Sequence, residues 1–196
     1  MTDIIIRKGE TWSRTIRWES APWVYTPITA ITKAAPMVVT AASHGLVTGW
    51  RAAILSAGGM RQANSKNTPP RASDMRKVTF VGSTQVNFND VDSSSFTTYT
   101  SGGYLASLTP VSLASFTARM QIRATADATT TLDSLVSPTD IVLDDTNHTI
   151  TVTISATDTA AYTFTSAVYD LELVSAGGVV TRLLEGSVTI SSEVTR

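Results

Sequence analysis

The chain contains no cysteine. That single absence excludes disulfides, thiolate metal sites and cysteine nucleophiles together, so packing and sheet hydrogen bonds must supply the stability. Histidine is nearly as scarce, with His44 and His148 alone available for metal ligation or for proton transfer near neutral pH. Charge is thin as well. A formal net charge of -1 and 16% charged residues provide no broad field for nucleic acid, anionic lipid or acidic substrates. No run approaches the roughly 20 apolar residues of a membrane span, and the apolar stretch within residues 1–8 is too short for a signal peptide. The expectation is a protein made in a cytoplasm and either kept there or released inside a larger particle. Long amphipathic patterns of helical period are also missing.

What is present is β-rich. With 196 residues, 42% of them hydrophobic, the chain can bury a proper core as one large or two small domains. Near its end, two β-prone runs flank Ser175-Ala176-Gly177-Gly178, which predicts a closing antiparallel hairpin at the edge of a sandwich. At its start, residues 3–8 and 11–19 are separated by Gly9-Glu10, the spacing of another hairpin. Residues 115–123 alternate Phe116, Ala118, Met120 and Ile122 against Thr117, Arg119, Gln121 and Arg123, the pattern of a half-buried strand. Residues 132–136, 141–143 and 149–154 add three more strands, and residues 155–161 have the small and capping residues of one helical turn. Between these parts the texture changes. Pro22, Pro27 and Pro36 punctuate the run, and short β candidates at 37–42, 50–55, 76–81 and 84–89 are divided by Ser43-His44-Gly45-Leu46, Ala57-Gly58-Gly59 and Gly82-Ser83. The expected architecture is all-β: a sandwich built from residues 1–28 and 105–196, with a small β module, residues 29–104, inserted after its second strand.

Few residues offer chemistry. Asp144, Asp145, Asn147 and His148 cluster, but their spacing departs from the Ca²⁺-loop pattern and fits an Asx-rich turn. No Gly-x-Ser-x-Gly elbow accompanies the abundant serines, and Gly58-Gly59 and Gly102-Gly103 lack the strand-to-helix setting of a phosphate cradle. No catalytic, cofactor-binding or metal-binding residue is therefore assigned. The irregular stretch 61–74, with Pro69-Pro70 and the cations Arg61, Lys66 and Arg71, is either a functional or a mobile loop. Its basic character suits an acidic partner or a phosphate, although the interleaved Pro, Asn and Thr favour a solvated loop. Trp12, Trp18 and Trp23 read either as core or as a partner-binding anchor. Asp158-Thr-Ala160-Ala-Tyr162 has the Asp-x-Ala-x-Tyr spacing of an immunoglobulin tyrosine corner, without the Cys and Trp framework; a small-residue turn explains it equally well.

Several short motifs, in order, carry a resemblance. Asp3-Ile-Ile-Ile-Arg-Lys-Gly9-Glu10-Thr11-Trp12, Leu113 with Phe116-Thr-Ala-Arg-Met-Gln-Ile-Arg123, Thr159-Ala160, Tyr169-Asp-Leu-Glu-Leu173, Leu183-Leu-Glu-Gly186 and Glu193-Val-Thr-Arg196 are similar to the small Ig-like virion proteins of tailed bacteriophages. They also resemble the N-terminal attachment domain of phage baseplate upper proteins. Within the insertion, Ser43-His-Gly-Leu-Val-Thr-Gly-Trp50, Gly59-Met60, Asn64 and Phe96-Thr-Thr-Tyr-Thr-Ser-Gly-Gly-Tyr104 resemble a small β-barrel module of phage tail and fibre proteins, related in pattern to the first catalytic-cysteine half-domain of ubiquitin-activating enzymes. Without cysteine, no activity carries over.

The resemblance implies an Ig-like sandwich and a non-enzymatic, cofactor-free structural component of a tailed-phage virion, assembled in the host cytoplasm. It would sit in the tail, neck or baseplate region as multiple copies around a symmetry axis, bind other virion proteins or fibres, and touch neither nucleic acid nor membrane. A capsid decoration protein is the alternative of the same class. A carbohydrate- or receptor-binding module is the alternative of another class, expecting aromatics exposed on one face and disfavoured if Trp12, Trp18, Trp23 and Trp50 are all buried. A hydrolase would need His44 or His148 to meet a serine or carboxylate in a pocket.

Overall fold

The computed structural model describes residues 2–192; the motif at 193–196 lies outside the described residues. In chain order the strands are β1 (Ile4–Arg7), β2 (Trp12–Ile16), β3 (Glu19–Pro27), β4 (Ala30–Ile31), β5 (Met37–Thr40), β6 (Arg51–Leu55), β7 (Arg76–Lys77), β8 (Thr79–Gly82), β9 (Gln85–Phe88), β10 (Tyr104–Pro110), β11 (Phe116–Arg123), β12 (Asp133–Val136), β13 (Ile141–Asp144), β14 (Thr149–Ile154), β15 (Ser166–Ser175) and β16 (Val180–Ser191). A short helix, α1 (Ala156–Ala161), lies between β14 and β15. The chain forms two compact units, one from Met1–Trp18 and Val111–Arg196, the other from Glu19–Pro110.

In the first unit, one sheet has the order β13-β14-β2 and the other β1-β16-β15-β11-β12. Leaving β1 aside, the first order is B, E, D read backwards and the second is G, F, C, C′, the strand arrangement of an immunoglobulin sandwich with one strand, C′, added beside C. The unit is thus Ig-like, and the inserted unit occupies the connection between the B and C positions. Alternation builds its core. Ala118, Met120 and Ile122 of β11, Ile150, Val152 and Ile154 of β14, and Leu171 and Leu173 of β15 are buried between the sheets. The intervening threonines of β14 face outward, where Thr15 and Thr151 hydroxyls meet at 2.9 Å across the strands.

Two local expectations fail here. β1 and β2 do not form a hairpin: β1 pairs in parallel with β16, Ile4 opposite Val188, while β2 pairs with β14 in the other sheet. The turn between them instead crosses the sandwich, fastened by Lys8 Nζ donating to Tyr162 O (2.8 Å) and by the Thr159 hydroxyl donating to Glu10 O (2.9 Å). Nor does the closing hairpin mark an edge. β15 and β16 lie inside the five-stranded sheet, because β1 covers β16 and β11 covers β15. Tyr162 does occupy the corner between the E and F positions, but its hydroxyl donates to the Asp133 carboxylate rather than to nearby backbone. Burial and that carboxylate both raise the Tyr162 pKa well above the ordinary phenol range.

The inserted unit contains the sheets β3-β10-β6-β7 and β4-β5-β9-β8. Ile54 and Leu105 from the first and Met37, Val39, Val86 and Phe88 from the second share one core with Trp50, which is 2% exposed. Its limits fall at 18/19 and 110/111, where the sequence placed them at 28/29 and 104/105. The cause is an unforeseen strand: β3 pairs with β10 from Glu19 opposite Pro110 to Pro27 opposite Tyr104. Pro22 and Pro27 disguised it, yet they are tolerated because β3 is the outermost strand of its sheet. Gly59 has φ +77°, and a Cβ there would lie 2.1 Å from Thr98 O. The paired glycines therefore serve a close backbone crossing, with Gly58 N donating to Ser101 O at 2.9 Å.

Candidate functional site

The residues singled out for chemistry are committed to structure. His44 is buried; its Nδ1 accepts from Leu46 N at 3.0 Å, so Nε2 carries the proton and donates to Gly82 O at 2.9 Å. Both ring nitrogens are used, which leaves no base. His148 sits in the turn between β13 and β14 with φ +51°. In the same turn, Asp144 accepts from Asn147 N at 2.9 Å and Asn147 Nδ2 at 2.7 Å, while Asp145 accepts from Leu113 N at 2.5 Å and the Ser112 hydroxyl at 2.9 Å. These bonds favour the ionised forms: the Asn147 amide leads in lowering the Asp144 pKa, and the Leu113 amide in lowering that of Asp145. Among the described residues, no group of three His, Cys, Asp or Glu is placed to hold a metal ion.

The tryptophans divide. Trp50 is core, and Trp12 and Trp18 pack partly buried against the sandwich core, Trp18 edge-to-face on Phe116 at 5.7 Å. Trp23 differs. It lies alongside Tyr25 on β3 with centroids 6.5 Å apart, and Tyr25 meets Tyr104 of β10 at 6.3 Å. Tyr25 and Tyr104 are 44% and 47% exposed, so the three rings form an aromatic group open to solvent. Trp23 stood out in the sequence, but not the strand that sets Tyr25 beside it, and the third ring comes from a strand some eighty residues away.

Exposed apolar side chains concentrate on the outermost strands. Ile5 of β1 is 68% exposed, Val142 of β13 54% and Phe80 of β8 46%, and Val136 of β12, Val81 of β8 and Val24 of β3 are exposed with them. Each of these strands ends its sheet. On the outer face of the five-stranded sheet, a groove of about 620 Å³ carries Arg119 paired with Glu172 at 2.7 Å, and Arg182 paired with Asp170 at 3.4 Å and Glu185 at 3.1 Å. Those charges neutralise one another within the sheet.

The irregular stretch 61–74 is tied down rather than mobile. Asn64 brackets Ala57, accepting from its N–H at 2.9 Å and donating to its carbonyl at 3.1 Å, and Ser65 N donates to Ile54 O at 2.7 Å. Farther on, Asp74 accepts from Asn67 Nδ2 at 2.8 Å and from Arg71 N at 3.0 Å, bonds that lower its pKa, the Arg71 amide foremost. Beneath this fixed loop is a cleft of about 400 Å³. Comparison with models of known protein families and with curated protein sequences gives no match to the chain.

Proposed function

We propose that the chain is a non-enzymatic structural subunit of a tailed-phage virion, placed in the tail, neck or baseplate region and repeated around a symmetry axis. The observation that carries this reading is the distribution of exposed apolar side chains over the terminal strands of all four sheets. Proteins that stay monomeric blunt such edges with charge, proline or bulges, because an open edge recruits other chains. Here Ile5, Val136 and Val142 leave those of the sandwich apolar, whereas in the inserted unit Phe80 and Val81 are exposed on a strand with irregular pairing and the other sheet ends in the prolines of β3 and in Arg76-Lys77. Docking proceeds by edge-to-edge pairing, with Trp23, Tyr25 and Tyr104 as an aromatic anchor for a neighbour. Support also comes from the resemblance, whose motifs at 3–12, 113–123 and 169–173 include β1, β11 and part of β15 of the Ig-like unit. The histidine geometry is consistent with a role without chemistry.

Cryo-electron microscopy of purified particles from the phage that carries the gene tests the assignment. The expected result is density for both units around the portal, tail or baseplate axis. Density spread over capsid faces would select the decoration alternative, and absence of the protein from purified particles would end the virion reading.

A further inference from the structure

β1 ends the five-stranded sheet and pairs with β16 in parallel, Ile4 opposite Val188. In a parallel pair, alternate residues direct both backbone groups to the neighbouring strand, and the residues between them direct both away from it. Thr2 N donates to Glu185 O at 2.8 Å and Lys8 N to Ser191 O at 2.9 Å, so the even-numbered residues are the ones turned to β16. Asp3, Ile5 and Arg7 therefore present their backbone N–H and C=O groups to the open edge. Arg7 O accepts from Glu10 N at 3.2 Å and keeps a second lone pair. The side chains of the same three residues are exposed, Ile5 at 68%, whereas Ile4 and Ile6 go to the core.

Charge on an edge strand ordinarily keeps a copy of the same strand away. Here it does the reverse. Asp3 and Arg7 flank Ile5 at equal spacing and with opposite sign, so an antiparallel copy centred on Ile5 sets Asp3 against Arg7 at both ends. Neither charge is consumed within its own chain. Arg7 reaches Glu10 only at 3.8 Å with both side chains mostly exposed, a weak contact, and Asp3 is held ionised by the bond it accepts from Ser187 N at 3.1 Å. None of the other terminal strands combines an acid with a base. The end of β12 is also already taken, with Val136 N donating to Asp140 Oδ2 at 3.0 Å and Val136 O accepting from Asp140 N at 2.9 Å.

We infer that β1 is a homodimerisation edge: two copies pair β1 antiparallel about a two-fold axis between their Ile5 residues, joining the two five-stranded sheets, with Asp3 of each copy meeting Arg7 of the other. A register shifted by two residues leaves both charges without an opposite. One short strand a side lies below the roughly 1,000 Å² of a stable interface, so free chains pair only at high concentration, whereas copies held together in a particle pair fully. The inference deepens the edge docking proposed above and rests on that reading for its setting; a chain that stays monomeric would end the β1 pairing and leave the virion assignment to be decided by microscopy.

Sedimentation velocity and amide exchange on the full chain, at about 10 μM and about 1 mM, provide the test. The expected result is a dimer at the higher concentration, with exchange slowed at Asp3, Ile5 and Arg7 and unchanged in β13. Arg7→Asp, at a side chain 72% exposed, should keep the parent melting temperature and weaken dimerisation about tenfold or more, because it opposes Asp3 with a second acid. Asp3→Arg should weaken it likewise, and an equimolar mixture of the two variants should recover the parent's dimer, since each supplies the charge the other lacks. A merely structural effect would not produce that recovery. Asp3→Arg gives up the bond from Ser187 N, so should it not fold, the exchange pattern and Arg7→Asp decide alone. A monomer at the higher concentration, growth beyond the dimer, protection in β13 in place of β1, dimerisation of Arg7→Asp equal to the parent's, or a mixture of folded variants no better than either alone would each overturn the assignment.

Discussion

Replacing Gly186 by alanine tests how the sandwich closes on its first strand. Gly186 lies on β16 under the backbone of Thr2, where an added Cβ would sit 2.4 Å from Thr2 O and 2.7 Å from Thr2 C. Contacts below about 3 Å are repulsive, so Thr2 must retreat by on the order of half an ångström. It is not free to do so without loss. Thr2 N donates to Glu185 O at 2.8 Å and Thr2 O accepts from the Tyr169 hydroxyl at 2.5 Å, one bond on each side of the glycine. Overpacking of this kind typically costs about 1–3 kcal/mol. The upper limit is detachment of β1, which would expose Ile4 and Ile6, now 4% and 0% exposed, at about 1.5–3 kcal/mol each. Gly186→Ala should therefore lower stability in urea by about 1–3 kcal/mol, with amide exchange accelerated at Thr2 to Arg7 beyond the acceleration in β14, which follows the global loss alone. An unaltered midpoint with full protection of Ile4 and Ile6 would refute the seating of β1 on β16.

Other outcomes follow from the same geometry. Ile6→Ala, at a fully buried position, should cost about 2–5 kcal/mol by chemical denaturation, and a cost under about 1 would place Ile6 outside the core. The Asp145 carboxylate is stabilised by the Leu113 amide and the Ser112 hydroxyl, so its folded pKa lies below the unfolded 3.8. Its contribution is present above pH 3.8 and is lost as pH falls through the folded value. NMR titration of the side-chain carboxyl should show that lowered midpoint, and Asp145→Asn should flatten the loss of stability in the same acid window. Ile5→Lys combined with Val142→Lys should reduce self-association at high concentration in sedimentation velocity without lowering the melting temperature; unchanged association would remove these edges from the docking surface.

Legibility in the sequence followed burial geometry. β11 and β14 each have one face in the core and one in solvent, so alternation announced them. For β1 the sequence offered a β-branched run without alternation, Ile4, Ile5 and Ile6 all being apolar, and the structure alone separates the buried Ile4 and Ile6 from the exposed Ile5. Alternation names the buried face of a strand and is silent about its partner, so the nearest run was taken for a mate that in fact lies at the other end of the chain. β3 was lost because its prolines argue against a strand, and only its outermost place in the sheet makes them harmless. The cleft shows a sharper limit. Its floor joins Met37, Ile54 and Phe88, which no spacing rule connects, whereas the proline- and asparagine-rich loop that roofs it was conspicuous as an irregular basic stretch. Whether such a stretch is mobile or fixed depends on bonds to Ala57 and Ile54 that composition does not encode.

The place where the inserted unit joins the sandwich has a thermodynamic consequence. Val111 N donates to Trp18 O at 3.0 Å, and the next residues on either side, Glu19 and Pro110, already face each other across β3 and β10. While the insertion is folded, its two ends are delivered to the sandwich already side by side. If it unfolds, the sandwich must hold about ninety residues as a closed, disordered loop. The logarithmic dependence on loop length makes that closure cost roughly 4 kcal/mol. Chain entropy therefore couples the stabilities of the two units, and a substitution that melts the insertion weakens the Ig-like core by the cost of the loop it leaves behind.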